Sequence, residues 1–199
     1  RGPLAAVVLV DPSYQGLASP LVDLVAVAHG AGLPVLVDQA HGRGEALAAG
    51  ADLVVLSCQK AGGGLAQTAV LGLQGERVAP EAVERALLWL QTSSPSALLL
   101  ASAQAALRQL FSRAGQRRHL TALKVARRLR LRCQQVALPL VANQDPLRLV
   151  LHTAAMGISG LEADAWLLER GVIAELPEPG TLTFCLGEVP PWGVGWRLP

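Results

Sequence analysis

Three short apolar runs constrain this chain most: "LAAVVLV" at 4–10, "PVLVD" at 34–38 and "DLVVLS" at 52–57. Each is too short for a buried helix. Each is apolar on both faces, as the strands of a parallel sheet covered by helices are. The segments between them read as helix. "PLVDLVAVAHGA" (20–31) carries apolar residues at helical spacing, with Ser19 as N-cap, Pro20 at the first helical position and Gly32 as the stop. "GEALAAGA" supplies one or two more turns, and "TAVLGLQ" (68–74) is a further strand. Strand, helix, strand, short helix, strand is the order of an α/β fold with a mostly parallel sheet.

The pattern changes after residue 80. "PEAVERALLWLQ", "PSALLLASAQAALRQLF" (opened by Pro95 after Ser94) and "AGQRRHLTALKVARRLRLRCQQV" are successive helices. Pro139, Asn143 and Pro146 then break the periodicity. Beyond them "LRLVLHT" reads as a strand, "SGLEADAWLLERGV" as a helix capped by Ser159, and "TLTFCLG" as a strand. The expected organisation is a major domain over residues 1–138 and a smaller α+β domain over 139–199. The closing "PPWGVGWRLP" reads as a loop or frayed end.

Composition narrows the function classes. A chain of 199 residues, 51% hydrophobic and 16% charged, can bury a sizeable core and does not look disordered. Charge or Gly/Pro interrupts each apolar run well before the roughly 18 residues of a membrane span, so no membrane partner is expected. The chain begins at Arg1 without Met, and a strand-like run follows at once, as expected of a fragment or processed piece. Three cysteines, Cys58, Cys133 and Cys185, read as reduced thiols of a cytoplasmic protein rather than a disulfide framework. Net charge is +2. The basic stretch Arg113, Arg117, Arg118, Lys124, Arg127, Arg128, Arg130 and Arg132 shares its segment with leucines and lacks interleaved aromatics. It reads as a solvated helix face, and no nucleic-acid partner is expected.

Ligands of open α/β sheets bind outside the carboxyl ends of the strands. Here the second strand ends at Asp38, followed by Ala40 and His41, and the third ends at Ser57 and Lys60. Laying these strands side by side brings Asp38, His41, Ser57 and Lys60 to one edge. A lysine at the end of a buried strand can be stripped of water, which favours the neutral, nucleophilic amine that Schiff-base chemistry needs. A fixed aspartate stabilises a protonated ring nitrogen. A serine beside a glycine-rich turn offers a phosphate its hydroxyl and nearby backbone N–H groups. Aldehyde, pyridinium and phosphate together describe pyridoxal 5'-phosphate. Nothing in this set calls for a metal. His29 reads as an ordinary helix residue, and Cys58 as a packing residue facing away from Ser57.

The wording of the segments adds to their spacing. "VDPSYQGLASPLVDLVAVAHGAGLPVLVDQAHG", "GADLVVLSCQK" and "LLWLQTSSPSALLLASAQAAL" resemble consecutive segments of the Orn/Lys/Arg decarboxylase family, and "GISGLEADAWLLERGVIAELPEPGTLTFCLG" is similar to the stretch leading into its smaller domain. The resemblance implies a fold type I, aspartate-aminotransferase-like major domain. It implies that Lys60 bonds the cofactor aldehyde, Asp38 pairs with the ring nitrogen, Ala40 lies against the ring, His41 sits close to the cofactor, and Ser57 contacts the phosphate. It further implies decarboxylation of ornithine, lysine or arginine in amino-acid metabolism and polyamine biosynthesis, by a homodimer or higher homo-oligomer. Thr92 to Ser96 would approach the site or a partner subunit. The family's upstream part supplies the glycine-rich phosphate turn and the residue stacked on the ring, so the piece alone is expected to be inactive. The chain departs from the family pattern at Gln59, where His is usual, in the short segment from His41 to Gly50, and at "AGGG" (61–64). Two other readings keep the same residues: a different fold type I activity of aminotransferase or aldolase type, and a non-catalytic family member.

Overall fold

The computed structural model describes residues 4–60 and 62–187. They form two units. One holds the chain up to Ser13 together with Ser19–Ser112; the other holds Tyr14–Ala18 and the chain from Arg113 onward.

The first unit is built on a four-stranded sheet in the order β1-β2-β3-β4, with β1 at Val7–Val10, β2 at Val35–Gln39, β3 at Leu53–Ser57 and β4 at Ala69–Leu73. β1, β2 and β3 run parallel, and β4 returns antiparallel to β3. Residues 58–68 explain the reversal: the connection has no helix, and a parallel crossover needs a dozen residues or more. Helix α1 (Leu21–Gly30) lays Leu21, Val25 and Ala28 on Val35, Val37 and Val54 of the sheet, with Ala46 of α2 (Glu45–Ala48) and Ala51 completing the core. β1 is less buried than its apolar run suggests. Val7 and Leu9 pack on the core, whereas Val8 is 66% exposed and Val10 63%. Among the described residues it pairs only with β2, and strand alternation puts Val8 and Val10 together on the face away from the core.

Two helix starts differ from expectation. α1 begins one residue later, with Pro20 at the cap and no side-chain hydrogen bond there; the Ser19 N–H instead donates to Asp11, the residue that ends the first strand run. α3 (Pro80–Leu90) is followed by an exposed turn, and α4 (Ala97–Phe111) is capped by Ser96 rather than Ser94. Ser94 precedes Pro95, which disfavours helical backbone at Ser94, while the Ser96 hydroxyl accepts from the Leu99 N–H at 3.5 Å.

In the second unit, β5 (Arg148–Leu151), β6 (Leu176–Pro177) and β7 (Leu182–Cys185) form an antiparallel sheet in the order β5-β7-β6. The two-residue β6 carries no periodicity and was invisible in the sequence. α6 (Gly160–Leu168) opens with a full capping box: Ser159 accepts from the Glu162 N–H, and the Glu162 carboxylate accepts from the Ser159 N–H. α5 (Arg113–Gln135) buries small residues, Gly115, Ala122, Ala126 and Cys133, and not its leucines; Leu120 and Leu131 are exposed. Most of its arginines are exposed, but Arg130 turns inward and donates to Asn143 Oδ1 at 2.7 Å and to the Arg148 carbonyl at 3.0 Å. All three cysteines are free. No helix among the described residues is long and apolar enough to cross a membrane. The segment 190–199 lies outside the described residues.

Candidate functional site at the strand ends

The site begins with alternation. Along β2, Val35, Val37 and Gln39 point into the core, so Asp38 points to the opposite face. Asp38 pairs in register with Val55, and Ser57 lies two residues beyond Val55, on the same face as Asp38. The parallel pairing of β2 and β3 therefore puts Asp38 and Ser57 on one face near one edge, as the sequence predicts. Past the strand ends, His41 and Lys60 meet: Lys60 Nζ lies 3.1 Å from His41 Nε2.

The chemistry of these groups fits the cofactor. One carboxylate oxygen of Asp38 accepts from the Ala40 N–H at 2.9 Å, and the other has no donor among the described residues. Ser57 is half-buried, and its hydroxyl makes no hydrogen bond among the described residues. The Lys60 amine is at the surface. An acceptor, a donor and a primary amine are thus left available on one edge, which is the donor set a pyridinium, a phosphate and an aldehyde require.

The burial expected of Lys60 is not found. β3 ends at Ser57, Cys58 is still buried, and the turn carries Gln59 and Lys60 out to solvent. Thr92 to Ser96 are likewise exposed, and within that turn the Ser94 N–H donates to the Thr92 hydroxyl at 3.2 Å.

Two glycines of the run are required by packing. A Cβ on Gly62 would sit 2.8 Å from the Cys58 carbonyl oxygen and 3.0 Å from the Ala106 Cβ of α4; on Gly64 it would sit 3.2 Å from each. The loop after the lysine is pressed between the end of β3 and α4. The Gly64 N–H donates to the Cys58 carbonyl at 2.9 Å, and the Leu65 N–H donates to the Ser102 hydroxyl of α4 at 2.8 Å.

Two residues escaped the sequence reading. Gln39 is 1% exposed; its carboxamide accepts from the Ala46 N–H at 3.0 Å and donates to Glu45 Oε2 at 3.3 Å, pinning the loop that carries Ala40 and His41. Its position beside Val35 and Val37 in the strand alternation was the available signal. Asp52, at the other end of β3, is also 1% exposed. Its carboxylate accepts from the Val35 N–H at 2.8 Å, lies 2.8 Å from His29 Nε2 and lies 3.6 Å from the Arg77 guanidinium. Burial alone would push this carboxyl up, but the Val35 N–H, the His29 ring and the Arg77 charge together hold it below the usual carboxylate range.

A sequence profile described as Orn/Lys/Arg decarboxylase, major domain, matches residues 2–144. The chain belongs to the Orn/Lys/Arg decarboxylase family. It is 33% identical over 181 residues to the arginine decarboxylase of Bacillus subtilis strain 168, covering 81% of this chain and 37% of that protein. It is 30% identical over 182 residues to the arginine decarboxylase of Bacillus anthracis, with the same coverage. The chain therefore spans well under half the length of these relatives. The structure of the constitutive lysine decarboxylase of Escherichia coli superposes with a TM-score of 0.69 at 19% identity, covering 92% of this chain and 34% of that one. The family's fold type I major domain accounts for the mixed sheet, three strands parallel and one reversed.

Proposed function

We propose that the protein decarboxylates a basic amino acid (ornithine, lysine or arginine) with pyridoxal 5'-phosphate. The observation that carries the reading is the strand-end set of a family member: Lys60 beside His41, with Asp38 and Ser57 on the neighbouring sheet face. The name shared by the Bacillus relatives puts arginine first among the three substrates.

When bound, pyridoxal 5'-phosphate supplies an electrophilic aldehyde and a ring that accepts the electron pair left when carbon dioxide departs. The chain's own residues divide the remaining work. Lys60 would offer the amine that anchors the aldehyde. Asp38 would turn its unengaged oxygen to the ring nitrogen, where a carboxylate favours the protonated form. Ser57 would donate to the phosphate. Ala40, next to Asp38, presents only a methyl group and would leave room for the ring. His41 holds the Lys60 amine by hydrogen bond and is placed to pass a proton to or from it. On this reading residues 1–138 are part of the major domain and 139–199 part of the smaller one; the profile match runs on to residue 144, whereas the first compact unit of the fold ends at Ser112.

A homodimer or higher homo-oligomer, acting in the cytoplasm without nucleic-acid or membrane partners, belongs to the same proposal. The exposed Leu88 (75%), Trp89 (87%) and Leu90 (85%) at the end of α3 support it, because apolar side chains clustered at a surface mark an interface.

The test is made on the full-length protein. Mixed with pyridoxal 5'-phosphate, it should develop an absorption band near the visible edge that Lys60→Ala abolishes, and it should convert arginine, lysine or ornithine to the amine and carbon dioxide. A keto-acid product would make it an aminotransferase. No band with excess cofactor would make it a non-catalytic family member.

A further inference from the structure

The loop that carries Lys60 is closed from inside by the residue before it. The Gln67 N–H donates to Gln59 Oε1 at 2.9 Å, and the Cys58 N–H donates to the Thr68 carbonyl at 3.1 Å. The two bonds tie both sides of the loop together where it leaves and rejoins the sheet. Gln67 needs such a tie, because its backbone sits at φ 67°, a left-handed conformation that is unfavourable for a non-glycine residue. The middle of the loop is fastened separately, through Gly64 to Cys58 and Leu65 to Ser102. Lys60 lies between these two fastenings, one residue from Gln59.

We propose that Gln59 is a positioning residue for Lys60: its carboxamide closes the loop at Gln67 and so fixes where the Lys60 amine stands relative to His41. The inference rests on the reading of Lys60 as the cofactor-anchoring amine. An exposed lysine on an unfastened loop would sweep a wide volume, and most of its positions would be wrong for an aldehyde held by Asp38 and Ser57. The carboxamide supplies a hydrogen-bond acceptor without an ionisable group. The departure from the family's usual His at this position replaces a side chain that can change charge with one that cannot.

The experiment uses the full-length protein without cofactor, in wild type, Gln59→Ala, the near-isosteric Gln59→Met, which has no comparable acceptor, and Gln59→Glu, which retains one. Two quantities are read. Hydrogen exchange at the Gln67 amide should rise roughly tenfold in Gln59→Ala and Gln59→Met and return to near wild type in Gln59→Glu. The acetylation rate of Lys60, divided by that of Lys124 on the exposed face of α5, should change at least about threefold in the Ala and Met variants, because the amine no longer stays beside His41. Unchanged Gln67 exchange in both variants would overturn the closure. Raised exchange with an unchanged Lys60 ratio would show that Gln59 holds the loop without positioning the lysine, which also overturns the proposal. Neither measurement involves pyridoxal 5'-phosphate. A protein that refuses the cofactor would therefore defeat the functional reading and leave this inference to be decided by the same two quantities.

Discussion

The two ends of one sheet use the same residue type in opposite ways. At the amino end of β3, Asp52 is buried and each of its carboxylate oxygens has a partner: the Val35 N–H and His29 on one, Arg77 on the other. At the carboxyl end of β2, Asp38 is half-buried and holds one oxygen back. A buried carboxylate has to be fully partnered or it destabilises the fold. An aspartate meant to meet a ligand has to be left incomplete. On the proposed function the amino end of the sheet serves stability and the carboxyl end binding, and the number of partners on each carboxylate distinguishes the two ends more clearly than its charge does.

Substitutions at the two ends should separate cleanly. Lys60→Ala should reduce turnover of the full-length enzyme on the order of a thousandfold or more. Its urea midpoint should stay with wild type, since the side chain is exposed; a large loss of stability would mean that the carboxyl end is structural after all. Asp52→Ala should do the reverse, costing roughly 3 kcal/mol in urea denaturation by stranding the His29 ring and the buried Val35 N–H, with the Lys60 chemistry intact in whatever remains folded.

The pH dependence sharpens the same contrast. Because the folded chain holds the Asp52 carboxyl below its ordinary value, it binds that proton more weakly than the unfolded chain does. The resulting stabilisation is complete above the unfolded value, near ~4, and is lost as pH falls through the lower folded value. Urea midpoints measured from neutral to acid pH should show this loss in wild type and lack it in Asp52→Asn.

Gly62→Ala should cost about 1–3 kcal/mol by forcing a methyl against the Cys58 carbonyl and Ala106. It should also disturb Lys60, so among these variants it alone should lower stability and activity together. Asp38→Ala should change stability little, by under about 0.5 kcal/mol, while weakening cofactor retention measured by dialysis. Equal destabilisation by Asp38→Ala and Asp52→Ala would erase the distinction between the ends.

The legible parts of the fold were those written in local pattern. The runs ending at Asp38 and Ser57 announced parallel strands, and the capping box at Ser159 announced its helix, because period and cap chemistry are properties of neighbouring residues. The place of β1 in the described strand order was not legible, since strand order depends on pairing between distant segments. Of the site, Asp38, His41, Ser57 and Lys60 were all readable as strand-end polar residues. The exposure of Lys60 was not, because it follows from where β3 stops and how the next turn leaves it. Asp52 reads in sequence as the first residue of the strand run 52–57; only the approach of His29, Val35 and Arg77 from other segments gives it a task. The confinement of Gly62 and Gly64 was not legible either, since the helix they touch begins more than thirty residues downstream.

That confinement ties two distant positions into one inheritance. A Cβ at Gly62 would meet the Ala106 methyl at 3.0 Å, so the Ala106 side chain already fills the space beside the glycine. A lineage that enlarges residue 106 while keeping the lysine loop in place has no smaller residue than glycine to offer at 62, so position 106 is expected to stay alanine or glycine for as long as the Lys60 loop is in use.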